Sequence, residues 1–319
     1  MGIKSFLKLV EIQTKVASLI PYLIGVAFTL YRYGRFEPIL LGLFFASMIC
    51  VDMATTAINN FMDYKRAAHR SGYNYESHNA IVKDGLSDRQ VITTIVGLLF
   101  IGGVFGLLLF LKTDLIVLFI GLVASFIGVI YSFGPIPISR TPFGEIASGV
   151  LMGGFIFFIT VYIEIFEQGF IHLYLSGPVI HLEVNMIELI IIAVVAMPLV
   201  LMIANIMLAN NICDIEDDVI NRRYTLPYFI GRKYALLLFE LLYGLAYLFI
   251  LVGILMGWLP ITCLLVMLTA VPVAKGLKVF KQSQTKEKTF VIAVKNLVII
   301  GGSYWLTIII SLLIAKFMN

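Results

Sequence analysis

The sequence predicts an all-α polytopic membrane protein of nine spanning helices. Three observations predict it. Of 319 residues, 60% are hydrophobic and 13% charged, with mean hydropathy +0.99; a soluble domain carries about 25% charged residues. Nine runs reach the length a spanning helix needs, roughly 20 mostly apolar residues. The cations then alternate between the two sides of those runs, as the positive-inside rule describes. The net charge of +4 is too small to suggest nucleic acid.

The chain opens with MGIKSFLKLVEIQTK, an amphipathic basic stretch with no small-residue cleavage site, so no removable signal peptide is expected. The runs cover roughly 14–33, 38–60, 91–111, 115–133, 143–165, 187–211, 234–256, 259–278 and 290–315. Only Lys112, Thr113 and Asp114 separate the third and fourth, which predicts a tight hairpin. The seventh and eighth meet around Trp258, Leu259 and Pro260, and Trp suits an interface. The segment 166–186 has no Lys or Arg and reads as an external loop, with His172 and His181 as exposed loop residues. Cys50, Cys213 and Cys263 form no close pair, which argues against zinc or a disulfide framework.

Orientation follows from charge. With a cytoplasmic N-terminus, the cytoplasmic segments hold Lys4, Lys8 and Lys15, then Lys65, Arg66, Arg70, Lys83 and Arg89, and Arg140. They also hold Arg222, Arg223, Arg232 and Lys233, then Lys275, Lys278, Lys281, Lys286 and Lys288, which makes 18 of the 23 cations. The opposite face holds Arg32, Arg35, Lys112 and Lys316, and Lys295 lies within the last run. The cell membrane is the expected location, with the C-terminus outside.

Two stretches carry the chemistry. Asn59-Asn60-x-x-Asp63 closes the second run and Asn210-Asn211-x-x-Asp214 the sixth. Both runs head inward, so both stretches reach one face. Residues four apart share a helix face, which groups Asn59 with Asp63 and Asp214 with Asp218, with Glu216 and Asp217 between the latter pair. Asp52 lies on the deeper part of the first stripe and is expected to pair with Thr55 or Thr56. Asn59, Asp63, Asp214, Asp217 and Asp218 are candidate oxygen ligands for Mg²⁺, a hard cation that shares substrate phosphates. Lys65, Arg66, Arg70 and Arg222, with Asn60, Asn210 and Asn211, are candidates to hold a diphosphate. A single acidic loop is usually just solvated; two matching copies on one face are not explained that way. The repeat suggests one domain over 1–319 made of two related halves. The first four helices, about 14–133, carry one loop, helices five to eight, about 143–278, carry the other, and a closing helix covers about 290–315.

At these residues the chain resembles the UbiA superfamily of intramembrane prenyltransferases, whose two Asp-rich motifs follow helices 2 and 6 of a nine-helix bundle. The first motif matches at Asn59 and Asp63, the second at Asp214 and Asp218. Within it, the chain is most similar to the 1,4-dihydroxy-2-naphthoate polyprenyltransferases of menaquinone synthesis. The stretch NNICDIEDDVINRRYTLPYFIG carries that resemblance, with Arg223 in the basic position before Thr225 and Leu226, together with Tyr131, Gly134, Pro135, Gly144 and Glu145. Asn60, Ala67 and Ala80 depart from the family pattern, and Lys83 or Arg70 stands in for a missing Arg. The resemblance implies transfer of a polyprenyl group from an allylic diphosphate to an aromatic acid, with Mg²⁺ and a lipid bilayer as partners. It implies Asp63, Asp214, Arg223 and Tyr131 as catalytic residues. Glu145 is expected to bind an acceptor hydroxyl or to pair with Arg140, and Glu240 with Lys295 to form an ion pair. Another acceptor, such as a 4-hydroxybenzoate or a haem-like ring, is the alternative within the family. A transporter gated by acidic loops is the alternative outside it, although alternating-access sites lie nearer the midplane.

Overall fold

The computed structural model describes residues 1–66 and 80–318, so the candidate Arg70 lies outside the described residues. Among them, nine helices are long and apolar enough to cross a bilayer, and the chain is an integral membrane protein. A short α1 (Ile3–Leu9) precedes the first span, α2 (Ile12–Tyr33), which opens with a 3-10 turn. Then come α3 (Pro38–Arg66), a single turn α4 (Ala80–Lys83), α5 (Asp88–Lys112), α6 (Leu115–Ser132) and α7 (Gly144–Gln168). Strands β1 (Ile171–Ser176) and β2 (Val179–Val184) lead to α8 (Met186–Cys213) and the short α9 (Ile215–Ile220). The chain ends with α10 (Leu226–Leu255), α11 (Ile261–Gln282) and α12 (Val291–Met318).

Local chemistry explains several boundaries. Ser87 and Gln90 form a reciprocal capping box at the start of α5. In the tight hairpin to α6, Asp114 accepts from the amides of Ile116 and Val117 at 3.0 and 3.1 Å, satisfying donors the helix start leaves free. Asn185 caps α8 in the same way, accepting from Glu188 N at 3.3 Å.

The expected external loop is a β-hairpin. Its strands pair from Ile171↔Val184 to Ser176↔Val179, and Gly177 takes φ 59° at the turn, a conformation glycine adopts without steric cost. Alternating apolar and polar residues, as in Ile171-His172-Leu173-Tyr174, were the available signal. His181 stacks on Tyr174 with centroids 4.9 Å apart.

The core centres on α8, where Val195, Leu199, Met202, Leu208, Ala209 and Ile212 are fully enclosed. The middle of α7 is a π-helical stretch, Gly149–Phe155, and its glycines let α8 come close. A Cβ on Gly153 would lie 2.6 Å from the amide nitrogen of Val200 and 2.7 Å from the carbonyl carbon of Leu199. Backbone cannot step aside as a side-chain tip can. Small residues at such a crossing are how membrane helices pack closely. Gly153→Ala is therefore expected to destabilise the fold by about 1–3 kcal/mol, read as a lower melting temperature in detergent; an unchanged melting temperature would contradict the close crossing.

Two charged groups inside the first two spans are paired with each other. Lys15, at the start of α2, donates to Asp52 Oδ1 and Thr56 Oγ1, both at 2.6 Å, and Ser18 donates to Asp52 Oδ2 at 2.6 Å. Thr55 and Thr56 instead bond the Asp52 carbonyl, each at 3.0 Å, so the expected Asp52–threonine pairing involves the backbone and the carboxylate goes to Lys15. The expected Glu240–Lys295 pair is also corrected. Glu240 meets Lys281 at 2.6 Å, because α10 packs beside α11.

Candidate active site

With spans alternating in direction, the last turns of α3 and α8 come to one end of the bundle. There the α3 end carries Asn59, Asn60, Asp63 and Lys65, and the α8 end carries Asn210 and Asn211. Asp214 is the joint between α8 and α9, and α9 presents Asp217 and Asp218. A left-handed residue, Arg222 at φ 54°, then turns the chain and brings Arg223 back over α9.

The turn between α6 and α7 ties the two motifs together. Its 3-10 segment Ile138–Arg140 reaches both. Arg140 Nη2 lies 3.6 Å from Asp63 Oδ1, and Arg140 Nη1 donates to Asn221 O at 3.4 Å. Arg223 Nε lies 3.2 Å from Asp218 Oδ1, while Arg223 Nη2 donates to Ser139 O at 3.5 Å. The Arg223 amide bonds Asp218 O at 2.7 Å and Tyr224 N bonds Arg140 O at 3.2 Å. Thr225 donates to Asp218 Oδ2 at 3.4 Å. Arg223 is thus close to Asp218, and Asp63 and Asp214 both act on its charge.

Each of these acids has its own cation. Asp63 faces Arg140, Asp218 faces Arg223, and Asp214 is ion-paired with Lys286 from the segment before α12. Arg140 and Lys286 were not among the predicted site residues. Their only sequence signal was membership of the positive face, which they share with many other cations. Burial pushes the Asp218 carboxyl up to about 6 even though Arg223 opposes the shift. Asp217 is raised as well, by burial first and then by Asp214. Burial works against the Arg223 charge, but Asp218, Asp63 and Asp214 more than offset it and hold its proton more tightly than usual.

The other predicted residues take varied places. Asn59 accepts from Ser132 Oγ at 3.0 Å. Its neighbour Asn60 turns away, donating to Leu9 O at 3.0 Å and Glu11 Oε1 at 3.2 Å, and so anchors the N-terminal segment; one helical step rotates it off the Asn59–Asp63 stripe. Lys65 is ion-paired with Asp88 and lies over the ring of Phe61. Lys83 ends α4, Arg66 ends α3, and Arg222 is exposed. The Asn210 carbonyl accepts from the Asp214 amide at 3.1 Å.

Glu145 does not pair with Arg140, which is engaged by Asp63. It accepts from Asn211 Nδ2 at 2.8 Å. Both are buried, at 3% and 0% exposure, yet Glu145 Oε2 and Asn211 Oδ1 have no partner. Two buried acceptors without donors are costly and fit a ligand group that donates hydrogen bonds. Tyr131 lies beside them. It sits within electrostatic reach of Glu145, Arg223 and Asp63.

Among the described residues, no three His, Cys, Asp or Glu side chains close on one point as a metal cage would. Asn59 and Asp63 of α3 and Asp214, Asp217 and Asp218 around α9 are oxygen donors at one end of the bundle, with Arg140 beside Asp63 and Arg223 beside Asp218. Such a donor set fits a hard ion that completes its shell with water and substrate phosphates.

The sequence profile of the UbiA prenyltransferase family matches residues 18–314. The 1,4-dihydroxy-2-naphthoate octaprenyltransferase of Bacillus subtilis (strain 168) is 26% identical over 306 residues, covering 96% of this chain and 91% of that protein. Among solved structures, a UbiA homologue from Aeropyrum pernix K1 superposes with TM-score 0.68 at 17% identity, over 91% of this chain and 96% of its own. A UbiA homologue from Archaeoglobus fulgidus bound to DMAPP and Mg²⁺ gives TM-score 0.52 at 16% identity, over 96% of this chain and 87% of its own.

Proposed function

Since the chain belongs to the UbiA prenyltransferase family, we propose that it transfers a polyprenyl group from an allylic diphosphate to 1,4-dihydroxy-2-naphthoate, the step that builds demethylmenaquinone. The observation that carries the acceptor is the likeness to the Bacillus subtilis enzyme across 96% of the chain. The meeting of both Asp-rich motifs around Arg223 supports the diphosphate site.

In this reading Asp63, Asp214 and Asp218 would hold Mg²⁺, with Asn59 and Asp217 alongside, and the ion would supply positive charge to offset that of the departing diphosphate. Arg223 and Arg140 grip phosphate oxygens, supported by Lys286 and by Lys83 and Arg222. Loss of the diphosphate leaves an allylic cation that must be kept from water. Tyr131, within electrostatic reach of Glu145 and Arg223, offers that cation a ring face. Glu145 Oε2 and Asn211 Oδ1 accept hydrogen bonds from the acceptor's hydroxyls and orient its electron-rich ring. The acceptor's carboxyl-bearing ring carbon then bonds the allylic carbon, and loss of that carboxylate as carbon dioxide restores aromaticity, with diphosphate as the leaving group.

The test is mass spectrometry of lipid products from purified protein given prenyl diphosphate with either 1,4-dihydroxy-2-naphthoate or 4-hydroxybenzoate. Product with dihydroxynaphthoate is expected; product with 4-hydroxybenzoate alone would reassign the acceptor, and product with neither would end this reading.

Two further expectations arise here. Metal binding needs Asp218 ionised, and its carboxyl titrates near 6 rather than near the usual value of about 4. Mg²⁺ affinity of the substrate-free protein should therefore fall as pH drops through about 6, and Asp218→Asn should remove that step. A titration with affinity flat from pH 7 to pH 5 would refute it. The positive-inside asymmetry further supports a cytoplasmic Asp-rich end. A cysteine introduced by Arg222→Cys should react with an impermeant reagent only from that side; reaction only from outside would invert the orientation.

A further inference from the structure

A concave feature lies at the Asp-rich end, on the Glu216 side of α9. Between the start of α10 and the end of α11 is a cavity of about 550 Å³ lined by Arg232, Lys233, Tyr234, Leu236, Leu237 and Lys281. Arg232 donates to both carboxylate oxygens of Glu216 at 2.6 and 2.9 Å, and Lys281 pairs with Glu240 at 2.6 Å. The Lys233 ammonium sits 5.9 Å from the centroid of the Tyr234 ring. Three cations against two carboxylates leave the cavity positive.

The backbone adds to this field. Gly231 has non-helical dihedrals, φ 78° and ψ 151°, inside α10. The helix that continues to Leu255 therefore starts afresh at Arg232, and the partial positive charge of a helix start lies among the same three side chains.

The surroundings are amphiphilic in a fixed order. Tyr234, 61% exposed, stands at the polar rim, where Tyr favours the membrane interface. Deeper along α10, Leu237, Leu241 and Leu248 are exposed at 59%, 53% and 51%. Their spacing of four and seven keeps them on one face. Cations above and an exposed leucine stripe below match a molecule with an anionic head and hydrocarbon tails.

We propose that this cavity binds the phosphate headgroup of an anionic phospholipid, whose acyl chains lie along the leucines of α10. Basic pockets between helices at the membrane surface recognise such headgroups. The guanidinium of Arg232 suits two phosphate oxygens at once, and Lys233 and Lys281 add point charges. A free phosphate would use the cations but have no use for the leucine stripe.

The experiment is native mass spectrometry of the full chain released from mild detergent after incubation with phosphatidylglycerol or phosphatidylcholine. The wild-type protein should retain one phosphatidylglycerol and no phosphatidylcholine. Arg232→Gln/Lys233→Gln/Lys281→Gln should weaken retention at least tenfold, whereas Lys4→Gln/Lys275→Gln/Lys288→Gln, which removes as many charges elsewhere, should not. The single variant Lys233→Gln, whose lysine faces no carboxylate in the cavity, should weaken it several-fold and covers the case in which the triple variant does not fold. Equal retention of both lipids by the wild type, equal loss in the two triple variants, or displacement of the lipid by inorganic diphosphate would each overturn the proposal.

Discussion

Replacing Asp63 or Asp214 by alanine is expected to cut prenyl transfer by at least about a thousandfold, the scale of a lost metal or charge-stabilising contact. The two residues come from motifs about 150 positions apart in sequence, so equal loss in both variants tests whether one site uses both. Each acid also neutralises a cation, Asp63 facing Arg140 and Asp214 facing Lys286. Asparagine at either position keeps the shape while removing the charge, and should be nearly as inactive as alanine. Monodisperse elution from a sizing column shows that the variants remain folded. Near-normal turnover of both variants with Mg²⁺ present would sink the two-motif site.

Arg223→Gln should depress the maximal rate by on the order of tenfold to a thousandfold. Arg223 sits between Asp218 and the Ser139 carbonyl, with Asp63 and Asp214 in electrostatic reach. Its contact with the leaving diphosphate strengthens as charge accumulates there, and an interaction made in the transition state acts on the rate constant. Arg223→Lys should restore only part, because an ammonium lacks the two-pronged grip of guanidinium. Steady-state kinetics at saturating acceptor, with prenyl diphosphate varied, separate the outcomes. A change confined to the half-saturating concentration would make Arg223 a binding residue alone. No change in either constant would leave it a charge that merely follows the positive-inside rule.

The spans were legible because bilayer thickness sets helix length, and the nine runs recur with their ends moved by a few residues, most at the extended start of α10. The hairpin of β1 and β2 was not foreseen, because a short alternation in a polar-flanked segment is a weak signal beside long apolar runs. In the site, four-residue spacing places Asn59 with Asp63 and also explains why Asn60 points elsewhere. Pairing between distant segments was harder to read. Nothing local distinguishes Arg140 or Lys286 from a dozen other cations on the same face, and only the fold brings them to Asp63 and Asp214. The Glu145–Asn211 contact was likewise hidden, since it joins the first turn of one span to the last turn of the next.

The Lys15–Asp52 clasp also bears on how the chain is made. Asp52 lies midway along α3, and Lys15 sits within the first span. Alone at the centre of a helix leaving the translocon, an aspartate costs about 2.5–3.5 kcal/mol to partition into lipid. Joined, with Ser18 and Thr56 filling the remaining bonds, the two charges cancel. The first span, delivered by itself, carries a bare ammonium whose partner is still inside the ribosome. Only 37 residues separate lysine from aspartate, few enough for both to be in the exit path together. Release of α2 and α3 together would let the two charges enter lipid as a neutral pair.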